Sequence, residues 1–122
     1  MGVWIFKMID FACKKFDLKE VIRCSLALTK IEFKIIEHLI KNPHKKFIAQ
    51  EISQKFNIGL STSQKAINEI NKKELIKRSQ KNLQKGGYIF VYSIKEKAIL
   101  KKRILELINN WVQKVEIKMK EW

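Results

Sequence analysis

The 122-residue sequence predicts a mainly α-helical fold with one small β-hairpin (α+β), on three observations. Two short segments with helical apolar spacing, 48–56 and 61–73, are parted only by a break at Asn57-Ile58-Gly59. Two strand-like runs follow, Leu75-Ile76-Lys77-Arg78 and Tyr88-Ile89-Phe90-Val91-Tyr92, with Gly86-Gly87 in the connection between them. A closing stretch from Lys95 to Trp122 contains neither glycine nor proline. Helices joined by so short a turn make a helix-turn-helix, and β-rich runs around glycines make a hairpin. In that order they predict a winged helix-turn-helix carrying a long C-terminal dimerisation helix. The chain then divides into an N-terminal helical segment (1–28), a winged helix-turn-helix DNA-binding domain (29–93) and an amphipathic dimerisation helix (94–122).

Composition narrows the partners. An apolar content of 46% is that of a folded globule rather than a disordered chain. The net charge of +14 calls for an acidic partner, either nucleic acid or an anionic membrane surface. The excess is uneven: residues 1–61 carry a net +5 and residues 62–122 a net +9. The apolar run Val3–Phe6 is cut short by Lys7 and Asp10. It is too short for a membrane span and lacks a signal-peptide cleavage region. No membrane association is expected, and the location expected is cytoplasmic and nucleoid-associated. Cys13 and Cys24 have no Cys/His partners at zinc-binding spacing and are expected to be buried free thiols of a reducing compartment.

Taken in order, Gly2–Phe16 reads as an amphipathic helix, with Trp4, Ile5, Met8, Ile9, Ala12, Cys13 and Phe16 on one face. Asp17 offers a cap for a second short helix, Leu18–Leu26. Thr29-Lys30-Ile31-Glu32 is a capping box, in which hydroxyl and carboxylate each satisfy one free backbone N–H. The helix it opens turns Phe33, Ile36, Leu39 and Ile40 inward and ends at Asn42-Pro43, since proline disfavours helical geometry in the preceding residue. Lys45-Lys46-Phe47 suits a short strand beside the hairpin. His38 and His44 lack any carboxylate or cysteine partner motif and read as solvated or partly covered side chains.

Within the helix-turn-helix, Gly59 supplies the positive φ of the turn, and Ser61-Thr62-Ser63 supplies hydroxyls to cap the second helix. At about 100° per residue, Ser63, Ala66, Ile67 and Ile70 of that helix fall on one side and form its core face. Ser61, Lys65, Asn68 and Lys72 centre on the other side, flanked by Gln64 and Glu69. Together with Thr62 this polar face carries hydroxyl, amide and ammonium groups able to reach bases and phosphates in a major groove. In the wing, residues 79–87, and at its base, Lys77, Arg78, Lys81, Asn82, Gln84 and Lys85 surround Gly86 and Gly87. These are expected to contact the DNA backbone or minor groove. Tyr88, Phe90 and Tyr92 are expected to be packing residues rather than base-stacking platforms.

The last helix carries a heptad seam of Ala98, Leu105, Ile108, Val112, Val115, Met119 and Trp122. A second row of Leu100, Ile104, Leu107 and Trp111 widens the face. The width suits one side covering the core while the other meets a partner helix. The homodimer interface is therefore placed on Leu105, Ile108, Trp111, Val112, Val115, Met119 and Trp122.

The run from Cys24 to Tyr92 resembles archaeal helix-turn-helix regulators of the TrmB and MarR-like group. The matching pieces are Cys24-Ser25-Leu26-Ala27-Leu28 ahead of the Thr29 box, Glu51-Ile52-Ser53, Ser61-Thr62, and Leu75-Ile76-Lys77-Arg78. The stretch Lys81-Asn82-Leu83-Gln84-Lys85-Gly86-Gly87-Tyr88 ahead of Val91-Tyr92 is the most specific. The resemblance implies a dimeric archaeal transcriptional regulator. Sugar-responsive members of the TrmB branch carry a large effector domain after the wing, where this chain has a helix, so no small-molecule effector is assigned. The function expected is sequence-specific binding of double-stranded DNA. The alternatives are a sequence-tolerant, chromatin-like DNA binder and a winged-helix module for protein or RNA. The chain is not expected to be an enzyme or to hold a cofactor, since no metal cluster, nucleophile–base pair or phosphate-cradling loop is legible.

Overall fold

The computed structural model of the chain describes residues 8–11 and 14–122. Among the described residues, Met8–Phe11 and Lys14–Asp17 form two strands where a helix is expected over Gly2–Phe16. β1 (Met8–Phe11) and β2 (Lys14–Asp17) pair antiparallel, Met8 opposite Asp17 and Phe11 opposite Lys14. Phenylalanine and isoleucine favour the extended chain, and Asp17 favours a cap over a helix interior, so helix begins only after it. Trp4, Ile5, Ala12 and Cys13 lie outside the described residues.

The Asp17 carboxylate accepts from the Lys19 N–H at 3.1 Å and opens α1 (Leu18–Ser25) as expected. Ile22 of α1 and Leu26 beyond it turn into the core, and Cys24, between them in sequence, is exposed. Its expected burial is thereby corrected: two residues from Ile22 along a helix is the opposite face. Cys13 falls outside the described residues.

At α2 (Lys30–Lys41) the capping box forms with both halves present. The Thr29 hydroxyl accepts from the Glu32 N–H at 3.2 Å, and the Glu32 carboxylate accepts from the Thr29 N–H at 3.0 Å. Phe33, Ile35, Ile36 and Leu39 are buried, and the Asn42 amide closes the helix by donating to the His38 carbonyl at 2.9 Å. α3 (Ala49–Phe56) and α4 (Leu60–Lys72) follow. The wing is β3 (Ile76–Asn82) paired antiparallel with β4 (Tyr88–Ile94), longer than the two apolar runs suggest. Phe47 adds one bridging residue to the sheet, exchanging two backbone hydrogen bonds of 2.8 and 2.7 Å with Tyr92. The last element is α5 (Lys97–Met119).

Among the described residues, five helices and a hairpin wing thus surround one apolar core. Ile35, Ile52, Ile70 and Leu75 are almost wholly excluded from solvent, each stabilising the fold by about 1.5–3 kcal/mol through burial. Leu100 of α5 is buried, and Ile104 and Leu107 pack against the same cluster. The first half of α5 thereby packs on the shared core beside α1, in keeping with an apolar face of which one side meets the core.

Candidate nucleic-acid interface

The crossing of α3 and α4 is held by hydroxyls. Ser63 is completely buried, and its Oγ donates to the Ala49 carbonyl at the start of α3 at 2.8 Å. Ser53 locks the turn from the other side: its Oγ donates to the Ile58 carbonyl at 2.7 Å, while the Ile58 N–H donates to the Ser53 carbonyl at 3.0 Å. Two expectations about this turn are corrected. The left-handed residue is Asn57 (φ 53°), a residue type that tolerates that conformation, whereas Gly59 has φ −65° and occupies the N-cap of α4. The helix starts at Leu60, so Ser61, Thr62 and Ser63 lie inside its first turn and none caps it through its side chain.

The two faces of α4 separate as its sequence predicts. Ser63, Ala66, Ile67 and Ile70 are buried, while Ser61, Thr62, Gln64, Lys65, Asn68 and Lys72 are exposed. The Lys72 ammonium lies 3.1 Å from the Glu69 carboxylate on the same helix, a pair that is open to solvent. Lys73, adjacent in sequence, is a tether: its ammonium donates to the Ala27 carbonyl at 3.3 Å.

The strand register sorts the wing into two chemically different faces. Lys77, Ser79 and Lys81 stand opposite Ser93, Val91 and Ile89 on one of them. Arg78, Gln80 and Asn82 stand opposite Tyr92, Phe90 and Tyr88 on the other, which runs inward to buried Ile76, Tyr92 and Ile94. Lys77, Arg78, Lys81, Asn82, Gln84 and Lys85 are all exposed. At the turn the Leu83 N–H donates to the Gly87 carbonyl at 3.0 Å, and the Gly86 N–H to the Leu83 carbonyl at 3.2 Å. Gly86 and Gly87 have φ of +93° and +79°, with open space where a Cβ would stand, so backbone angle rather than crowding requires glycine there. Residues 75–95 contain five basic side chains and no acidic one. Of the three aromatics expected to pack, only Tyr92 does; Tyr88 and Phe90 are 54% and 37% exposed because the hairpin extends beyond the core.

The seam residues of α5 are accessible. Leu105, Trp111, Val112, Val115 and Met119 are exposed, Ile108 is half-buried, and Trp122 is 98% exposed. An apolar groove of about 660 Å³ adjoins them, with Ile22, Ile94, Leu100, Ile104 and Leu105 among its lining and Lys41, Lys95, Lys97 and Lys101 around it. His38 sits against the Phe47 and Phe56 rings at 5.1 and 5.7 Å. Its burial, with Lys55, Lys45 and Lys41 nearby, holds its pKa below the usual imidazole range. His44 is exposed. Among the described residues there is no group of three or more His, Cys, Asp or Glu that could hold a metal ion, and no helix is long and apolar enough to cross a membrane.

These features define a winged helix-turn-helix protein with a basic wing. Residues 16–115 match the model of the DnaD N-terminal domain, and the chain belongs to that family. Its relatives include the uncharacterized protein MJ1082 of Methanocaldococcus jannaschii, 30% identical over 103 residues, covering 84% of this chain and 83% of that protein. Among solved structures it is similar to a possible transcriptional regulator from Methanosarcina mazei Go1, at 33% identity and a TM-score of 0.81, covering 95% of this chain and 97% of that one. Staphylococcus aureus MepR, solved bound to an oligodeoxyribonucleotide, shares the fold at 12% identity and a TM-score of 0.55, over 84% of this chain and 71% of that one. The resemblance to regulators therefore holds at the level of the winged-helix fold and of similarity to a possible archaeal regulator.

Proposed function

We propose that this chain is a dimeric transcriptional regulator that binds double-stranded DNA in a sequence-specific way, in the manner of TrmB and MarR-like proteins, and carries no enzymatic activity. The observation that carries the proposal is α4 itself. Ser63, Ala66, Ile67 and Ile70 are sealed by the core, and Ser61, Thr62, Gln64, Lys65, Asn68 and Lys72 stand open on the other side, shortly before the acid-free wing. In this reading Gln64 and Asn68 address base edges in the major groove, since amides pair with adenine in two-point fashion. Ser61 and Thr62, in the first turn, and Lys65 and Lys72 anchor phosphates. Lys77, Arg78, Lys81, Asn82, Gln84 and Lys85 grip the backbone or minor groove, with Gly86 and Gly87 shaping the turn.

The proposal divides labour along the chain, with 1–28 as an N-terminal segment, 29–93 for DNA contact and 94–122 for pairing with a second copy. Leu105, Ile108, Trp111, Val112, Val115, Met119 and Trp122 meet their counterparts in the partner. Supporting this, Leu105 and Trp122 are 59% and 98% exposed in the single chain, an arrangement whose apolar area favours a covering partner. The similarity to a possible transcriptional regulator supports the biological role. A soluble protein acting on the nucleoid is the setting that role implies.

Selection of bound duplexes from a random pool tests the reading. It predicts one enriched, near-palindromic motif with half-sites about 34 Å apart. A pool that emerges without a motif refutes sequence-specific recognition and favours a sequence-tolerant binder. If the dimer neutralises about 8 phosphates, log K falls against log salt with a slope near −7. A slope near zero refutes duplex binding and favours a protein-interaction module.

A further inference from the structure

The wing carries two aromatic rings that the proposed duplex contacts do not use, although Arg78 and Asn82 beside them are shared with those contacts. Backbone and minor-groove contacts need ammonium, guanidinium and amide groups, and Lys77 and Lys81 present theirs on one face of the hairpin. The other face begins in the core, at Ile76 and Ile94, and leaves it with two partly exposed aromatic rings, Phe90 at 37% and Tyr88 at 54%. Covering such rings would gain the burial energy that they forgo in the single chain.

Here the rings are arranged rather than scattered. Their centroids are 5.4 Å apart at 67°, so the edge of one meets the face of the other. The Arg78 guanidinium lies 4.6 Å from the Phe90 centroid. On the neighbouring strand of this face, the Gln80 amide donates to the Asn82 amide oxygen at 3.4 Å. No carboxylate occurs anywhere from residue 75 to residue 95. Rings, a stacked guanidinium and amides in an acid-free basic setting are the parts with which proteins hold unpaired bases: rings stack on base faces, amides meet base edges and cations follow the phosphates. A paired base inside a duplex has no free face to offer such rings.

We infer that the outward half of this wing face, Tyr88, Phe90, Arg78, Gln80 and Asn82, is a binding site for unpaired bases of single-stranded DNA. The site is separate from the polar face of α4. The rings hold two successive bases by stacking, and the strand's phosphates are drawn by the wing's lysines. A chain so equipped engages a duplex where one strand has opened or frayed beside the segment held by α4.

The test compares two fluorescent strands of equal length and charge, oligo(dT) and a strand whose sugars carry no bases. Anisotropy titrations of the full chain read both affinities at one salt concentration. The wild type is expected to bind oligo(dT) about tenfold or more tightly than the abasic strand, since each stacked base contributes about fivefold or more. The Tyr88→Ala, Phe90→Ala double variant is expected to erase that preference while its affinity for the abasic strand stays within about twofold. Tyr88→Phe with Phe90→Tyr keeps both rings and is expected to keep the preference, and a far-UV spectrum matching the wild type shows that each variant folds. Equal wild-type affinity for the two strands overturns the inference, as does a preference that survives loss of both rings. Tighter binding to oligo(U) than to oligo(dT) overturns the assignment to DNA. Failure of the regulator reading would show elsewhere, as a random duplex pool without a motif.

Discussion

Arg103 joins the last helix to the end of α4, and its removal gives a stability change that can be worked from the contacts. Its Nε donates to the Lys73 carbonyl at 2.8 Å, and its two Nη atoms lie 3.0 Å from the Glu74 carboxylate and 3.2 Å from that of Glu106. Lys73 is the C-cap of α4, where unsatisfied carbonyls collect and a cation is favoured. The next residue, Glu74, has a φ of 60°, a left-handed exit that costs a non-glycine residue about 1–2 kcal/mol. The side chains of Glu74 and Glu106 are 61% and 48% exposed, so the two ion pairs add little. The weight falls on the charged hydrogen bond to the carbonyl, about 1.5–3 kcal/mol. Arg103→Met keeps the stem and deletes the guanidinium, and should lose that amount. Arg103→Lys keeps the charge without the fork and should lose part of it. With a urea slope of about 1–3 kcal/mol per molar, the Met midpoint should fall by about 1 M. Far-UV ellipticity during urea titration reads it, at two protein concentrations so that any association is seen. A Met midpoint within about 0.2 M of wild type would refute the assignment of Arg103 as the external cap of α4.

Four further outcomes are expected. His38 has its pKa held below the ordinary 6.5 by burial. As pH falls through about 6.5 the unfolded chain therefore takes up a proton before the folded one, and stability drops until the folded imidazole also protonates. Urea midpoints between about pH 5 and 7 should slope upward more in wild type than in His38→Phe. Asn68→Ala should flatten discrimination between the selected site and random duplex, whereas Lys81→Ala should weaken both alike; gel-shift titrations distinguish the two patterns. Deleting Trp111–Trp122 should give a monomer by light scattering, and an unchanged mass would sink the α5 interface. Thr29→Ala should cost about 1 kcal/mol in urea, with Thr29→Ser close to wild type.

The parts of the molecule legible in the sequence are those governed by local chemistry. Thr29 and Glu32 announce the start of α2 because a capping box involves four adjacent residues. The inward face of α4 is readable because a helix of its length samples both faces several times. The rest depends on partners distant in the chain. A hydroxyl near a helix start suggests a cap, yet Ser63 is claimed by the Ala49 carbonyl, and only the packing of α3 on α4 could reveal that. Met8, Ile9 and Phe16 fit a helical wheel, but strands β1 and β2 claim the segment. The outer wing, Ser79–Asn82, has no apolar alternation from which to infer a strand, so its length is missed, and with it the exposure of Tyr88 and Phe90. Arg103 gives no local signal, being a basic residue among many on a basic helix. Ser53 could have been found from its spacing to Asn57-Ile58, where a hydroxyl can close a turn.

The single bridge between Phe47 and Tyr92 has a topological consequence. Everything from Ser61 to Gly87 that is assigned to duplex contact lies in one stretch of chain, pinned at its two ends by that pair. Neighbouring elements inside the stretch, α3 with α4 and β3 with β4, are close in sequence and can associate early. The clasp between residues 47 and 92 closes a longer loop and carries the larger entropic cost of ring closure. That cost grows only with the logarithm of length, so lengthening the Leu83–Gly87 turn should delay closure little. Parting the clasp, by contrast, would loosen α4 and the wing at once.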